Sequence, residues 1–179
     1  MSSVKRATVT ALCIALCTVL PTAFHALGLG AAFSPLHIPV LLCGLLCGPW
    51  YGGVCGAAGA LLSSTLTGMP TAAQLVYILP ELAVYGLVAG LLFCHIHTGR
   101  LPLDLLSALI PAMLAGRIIG GLVRMVYLHG EYTLTLWVGA YFLHALPGIA
   151  VHLTLIPTLY LLLTKTGRIP SRSEKGSNQ

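Results

Sequence analysis

Three side chains of fixed charge sit deep inside apolar stretches of this sequence: Glu81, Arg117 and Arg124. A charge at bilayer depth costs at least about 2.5 to 3.5 kcal/mol on insertion scales, so such groups face a bundle interior or a polar cavity and find partners there. Their chemistry is recognition by charge. A carboxylate accepts donors, and a planar guanidinium grips a carboxylate at two points. Uncharged polar side chains accompany them in His25, His37, Gln74, Tyr77, Tyr141 and His144. As a convergent set these residues suggest a ligand pocket. Two other readings stay open at this point. One is a purely architectural polar cluster. The other is an intramembrane enzyme using His37, His144 and Glu81 as acid-base groups, which lacks an evident nucleophile or metal set.

Other chemistries find less support. His95 and His97 form an isolated His-x-His beside Arg100, a weak metal signal, because two ligands alone cannot close a site and a solvated interfacial loop accounts for them. Cys13 and Cys17 share a helix face, as do Cys43 and Cys47, but all six cysteines fall within apolar segments and read as small packing residues. No phosphate-binding Gly-x-x-x-x-Gly-Lys-Ser/Thr loop is present, and four acidic residues make a magnesium-phosphate site hard to assemble. No cofactor or metal is expected, and no catalytic residue is assigned.

The elements that must position the charged groups follow from composition. Hydrophobic residues make up 57% of the 179 positions and charged residues 7%, against roughly 25% charge in soluble domains. With a mean hydropathy of +0.93, the chain reads as a membrane protein whose solvent is lipid. The net charge of +5 does not point to nucleic acid, because the basic residues sit mainly at segment ends with no aromatic interleaving.

Six apolar runs predict helices over Ala7–Ala26, Leu36–Cys47, Tyr51–Leu66, Ala72–Cys94, Leu103–Leu128 and Leu134–Leu163, separated by Gly- and Pro-rich turns. The fold class is thus all-α, a compact bundle of six transmembrane helices over residues 1–166, with a disordered cytoplasmic tail over 167–179. The second run is too short to span the hydrocarbon alone and should be sheltered by its neighbours. Gly52, Gly53, Gly56 and Gly59 give the third a smooth face for close approach. Pro111, Pro147 and Pro157 are expected to kink the last two. The first run also fits a signal peptide loosely, a reading opposed by its ordered row of alanines.

Lys5, Arg6, Arg100, Lys165, Arg168, Arg172 and Lys175 lie on one side if both termini are cytoplasmic, as the positive-inside rule requires. At about 1.5 Å per residue, Glu81 then lies about 13 Å below the outer surface, Arg117 about 16 Å and Arg124 about 6 Å. Glu81 and Arg117 are placed to form an interhelical salt bridge, leaving Arg124, two turns away on the same face, for a ligand. Polarity gathers in the outer half, while the inner half is nearly all apolar apart from His152 near the lower end of the sixth helix. Ala7, Ala11 and Ala15 form a small-residue row that serves either packing within the bundle or the close approach of a partner helix.

Several stretches resemble the S components of energy-coupling factor (ECF) transporters. They are Ser34-Pro35-Leu36-His37-Ile38-Pro39-Val40-Leu41-Leu42-Cys43-Gly44, Gly48-Pro49-Trp50-Tyr51-Gly52, Gly68-Met69-Pro70, Glu81-Leu82-Ala83-Val84-Tyr85-Gly86, Ala115-Gly116-Arg117 and Leu146-Pro147-Gly148-Ile149. The likeness runs in order over almost all of the chain. It implies a non-enzymatic, multi-pass protein of the cell membrane that captures a vitamin from outside. The implied partners are a membrane T component and two ATPase subunits, and the protein would topple in the bilayer to release its cargo. Ala7, Ala11 and Ala15 match the family's docking row for the T component. His144 departs from the asparagine common in the family. The implied pocket lies between the loop from Gly28 to Leu36 and the outer halves of the last three helices, with His37, Gln74, Tyr77, Glu81, Arg117, Arg124, Tyr141 and His144 as contacts. An anionic vitamin is favoured, pantothenate first, with pyridoxine-like, folate-like and cobalamin-type ligands left open.

Overall fold

The computed structural model describes residues 1–26, 28, 35–128, 133–139 and 145–166, the side chains of His25, Ala26 and Leu134 excepted. Among them the fold is helical throughout: α1 (Ser3–Ala26), α2 (His37–Cys47), α3 (Pro49–Thr67), α4 (Ala72–His95), α5 (Leu101–Tyr127), α6 (Leu134–Val138) and α7 (Leu146–Lys165). Four of these, α1, α4, α5 and α7, are long and apolar enough to cross a membrane. The chain is therefore an all-helical integral membrane protein.

Its two other sizeable helices differ from simple spans. Nine of the 11 residues of α2 are buried, so the short helix is sheltered by protein as its length demands. In α3, glycines and hydroxyl residues dilute the apolar character. The expected sixth helix over Leu134–Leu163 is replaced by the five-residue α6 and the 20-residue α7, which begins at Leu146. Pro147 explains the start. It lies in the first turn of α7, where its missing N–H is one the helix leaves unpaired anyway, so it opens a helix rather than kinking one. Pro111 and Pro157 do lie inside α5 and α7, as Pro21 and Pro80 lie inside α1 and α4.

The centre of the bundle is α4, which packs on α2, α3 and α5, while α7 packs mainly against α2 and α5. Lipid offers no hydrophobic drive between helices, so close backbone approach supplies the attraction. A β-carbon on Gly86 would run into the backbone of Gly52, and one on Gly44 into the carbonyl of Gly86. Likewise, a β-carbon on Gly56 would meet the carbonyl of Leu82, and one on Gly59 would stand 2.8 Å from Cys17 Sγ. Gly53, grouped with these by sequence, has only ordinary contacts, the nearest at 3.5 Å. On α1, Thr10, Cys13, Cys17 and Pro21 form the buried stripe, and Ala7, Ala11 and Ala15 lie exposed on another face.

Candidate functional site

The interface of α4 and α5 is built on a four-residue register running in opposite directions. Tyr85 packs on Gly116, Glu81 on Gly120, and Tyr77 beneath Arg124. Glycine at 116 and 120 makes this possible: a β-carbon at either position would overlap Tyr85 or Glu81. Glu81 is thereby held against Gly120, within a turn of Arg117 on α5. Glu81 and Arg117 are buried, at 6% and 5% exposure, so they face the bundle and not lipid.

Around Glu81 polar side chains gather from α2, α4 and α7, and Arg117 is buried on the adjoining α5. Tyr85, one turn further along α4, donates its hydroxyl to Glu81 Oε1 at 2.9 Å. His37, the first residue of α2, brings Nε2 to 3.7 Å from the same oxygen, an ion-pair separation longer than a hydrogen bond. The His37 ring lies 4.9 Å from the Tyr85 ring at 55°, and 5.5 Å from the ring of His152 on α7 at 29°. Arg117 comes from α5, and its carbonyl accepts the indole N–H of Trp137 on α6 at 3.3 Å. A β-carbon on Gly121 would overlap that indole, so a bare backbone is what seats α6 against α5.

Above this cluster, Arg124 places its guanidinium carbon 4.9 Å from the centroid of the buried Tyr77 ring. Such a cation–π contact contributes about 0.5 to 2 kcal/mol, more as it is desolvated. The contact fixes where the Arg124 guanidinium sits relative to α4.

Of the residues singled out by sequence, His37, Tyr77, Glu81, Arg117 and Arg124 are brought to this interface. Gln74 is not. It is exposed and closes a capping box with Thr71, its carboxamide oxygen accepting from Thr71 N at 3.1 Å, which employs the side chain in starting α4. Tyr141, His144 and the side chain of His25 lie outside the described residues. Two members were not anticipated. Tyr85 could have been found from its spacing of four from Glu81 on one helix face. A helix running from Leu134 puts His152 near its lower end; α7 begins at Leu146, which puts His152 only about 9 Å along it.

His95 and His97 are exposed, and each has Nδ1 on a nearby backbone carbonyl, at 2.8 and 3.0 Å. Among the described residues no group of three or more His, Cys, Asp or Glu is arranged to hold a metal ion. Cys13, Cys17, Cys43, Cys47 and Cys55 are buried where α1, α2 and α3 meet, and Cys94 is exposed.

The polar cluster lies among the helices of an apolar bundle, four of them long and apolar enough to cross a membrane. The family model described as ECF transporter, substrate-specific component, matches residues 5–160. The chain belongs to that family, whose members are transporter subunits and not enzymes. No curated protein and no solved structure matches it.

Proposed function

We propose that this protein is the vitamin-binding S component of an ECF importer in the cell membrane. It takes its ligand from outside and delivers it with a T component and two ATPase subunits. The observation that carries this reading is the approach of His37 from α2 to Glu81 on α4, with Arg117 buried on the adjoining α5 and the Arg124–Tyr77 pair on the same α4–α5 interface, inside an apolar bundle. Charges at that depth are costly, and a ligand that complements them recovers the cost. Binding accounts for the set without any bond being made or broken.

Ligand class follows from charge and spacing. Glu81, Arg117 and Arg124 together carry about one formal positive charge, whose pull on an anion a reduced dielectric strengthens. Between His37 Nε2 and Glu81 Oε1 the gap is 3.7 Å. One oxygen at about 2.8 Å from each atom closes a triangle on that base, donating to the carboxylate and accepting from the imidazole. A ligand with both a carboxylate and a hydroxyl satisfies these demands, and pantothenate is such a molecule. Both termini are taken as cytoplasmic, which puts Lys5, Arg6, Arg100 and Lys165 inside. The exposed row of Ala7, Ala11 and Ala15 is then the face offered to the T component.

Mass spectrometry of small molecules released from the purified chain tests the reading. A stoichiometric hydroxylated carboxylate, bound reversibly and released unchanged, is the expected result. Conversion of the released molecule on incubation would replace the binder with an enzyme. Co-purification with two ATPases tests the importer part, and uptake by the chain alone would contradict it.

A further inference from the structure

We infer that Trp137 is a positioning residue of the binding site: from α6, its indole keeps the turn of α5 that carries Arg117 from rolling about the helix axis. The inference rests on reading Arg117 as part of the site. The contacts of α4 on α5 fall at Gly116, Gly120 and Arg124, four residues apart, and so run as one line along α5. A helix supported chiefly along one line can roll on it. At a radius of about 5 to 6 Å, a roll of about 10° moves a side-chain tip by about 1 Å, whereas a binding constellation must be held to about 0.5 Å. Trp137 supplies a support off that line. A β-carbon on Gly121 would overlap its ring, and its N–H donates to the Arg117 carbonyl at 3.3 Å, so the indole lies directly on the α5 backbone. That carbonyl has two lone pairs and can accept the bond beside a helix bond. Leu136 and Val138, which flank Trp137 on α6, are exposed, so α6 offers α5 its ring and not these aliphatic side chains. Around the axis Gly121 stands about 100° from Gly120, and Arg117 falls between them, about 60° from Gly120 and about 40° from Gly121. Arg117 therefore leaves α5 between the α4 line and the indole, where a roll in either direction meets one of the two. Whatever holds the tip of a long arginine arm does not fix the helix that carries it; these two supports do.

The test uses the full chain in lipid nanodiscs with 15N-labelled arginine, the Nε–H signals of Arg117 and Arg124 being identified by their loss in R117K and R124K. We expect one sharp signal for each in the unaltered protein and in W137F, which keeps a flat ring for the notch. W137A removes the ring and G121A expels it, so both should give Arg117 broadened or multiple signals while Arg124, on the α4 line over Tyr77, keeps one. A single sharp Arg117 signal in either variant would overturn the inference. Equal broadening of Arg124 would also overturn it, because Trp137 would then hold the fold as a whole and not the turn of Arg117. A variant that is not monodisperse is replaced by W137L under the same criteria. Equilibrium binding of radiolabelled pantothenate gives the second readout: W137F should stay within about threefold of the unaltered Kd, and W137A and G121A should lose about tenfold or more. Equal loss in W137F and W137A would show that the ring does not position the turn. An unaltered chain that binds no pantothenate would overturn the ligand reading, and the spectra alone would then decide the role of Trp137.

Discussion

The carboxylate of Glu81 lies against the bare backbone of Gly120: a β-carbon there would stand 2.6 Å from Oε2 and 2.9 Å from the Cβ of Glu81. Because the Cβ is fixed by the backbone, Glu81 cannot rotate clear of the intrusion. Gly120→Ala should therefore push α4 from α5 and pull Glu81 away from Tyr85 and His37. Overpacking of this kind costs about 1 to 3 kcal/mol, which corresponds to about a tenfold or greater loss of ligand affinity if it falls on the site. Gly139→Ala, which meets nothing within 4 Å among the described residues, is the control. Equal affinity in both variants would show that Glu81 does not need the notch.

Gly86 presents a harder case, because what a β-carbon there would strike is the backbone of Gly52. No side chain can swing aside. We predict that Gly86→Ala separates α3 from α4 and yields little monodisperse protein in detergent, whereas Gly53→Ala, in ordinary contact only, yields normal amounts. A normal elution profile for Gly86→Ala would contradict the tight crossing.

How far sequence anticipates this arrangement depends on what each residue signals. Apolar runs bounded by Gly and Pro locate α1 to α5 to within about a turn, and the shortness of α2 foretells its burial. The last segment misleads because residues 134–163 are apolar almost throughout, with Gly139, Pro147, Gly148 and Pro157 as the only Gly or Pro residues in it. Misplacing that one start carried His152 to the wrong end of the bundle. Counting residues gives depth along an axis but not rotation about it, so Glu81 and Arg117 were placed at one level while the contacts of His37 with Tyr85 and His152 were not foreseen. The Tyr77–Arg124 contact likewise depends on a register set by Gly116 and Gly120, glycines that sequence alone does not mark as special.

Glu81 is held within a turn of Arg117, and their exchange tests whether they share a charge interaction. Each single reversal, Glu81→Arg or Arg117→Glu, puts like charges together at a buried site, where an uncompensated charge costs about 3 to 5 kcal/mol. We expect both single variants to be poorly folded and the double exchange to recover a monodisperse protein, read by size-exclusion profile. Equal tolerance of both single changes would exclude a salt bridge between them.

The exposed alanine row separates docking from folding. Replacing Ala11 and Ala15 by Leu or Trp adds bulk on a face of α1 turned away from its buried stripe of Thr10, Cys13 and Cys17. Small side chains there permit close approach of a partner helix, and large ones hold it off. Uptake in cells carrying the coupling module should be abolished, while equilibrium binding by the isolated chain stays near the unaltered value. Loss of binding in the isolated variants would place the row in the fold instead.

Arg124 carries the prediction on ligand charge. Its guanidinium is held over Tyr77 at 4.9 Å, and a guanidinium can meet a carboxylate at two points. A hydrogen bond to a charged group contributes about 1.5 to 3 kcal/mol, so Arg124→Ala should weaken binding about tenfold to more than a hundredfold. Arg124→Lys should recover only part of the loss, since an ammonium stacks less well and cannot reproduce the planar two-point grip. Tyr77→Leu should fall between the two: it keeps the charge but removes the ring that aims it. Measuring all three Kd values at low and at high salt adds a check, because a contact near the outer mouth is partly screened and weakens as the Debye length falls from about 10 Å to about 3 Å. An unchanged Kd in a folded Arg124→Ala protein would remove the anion, and pantothenate with it.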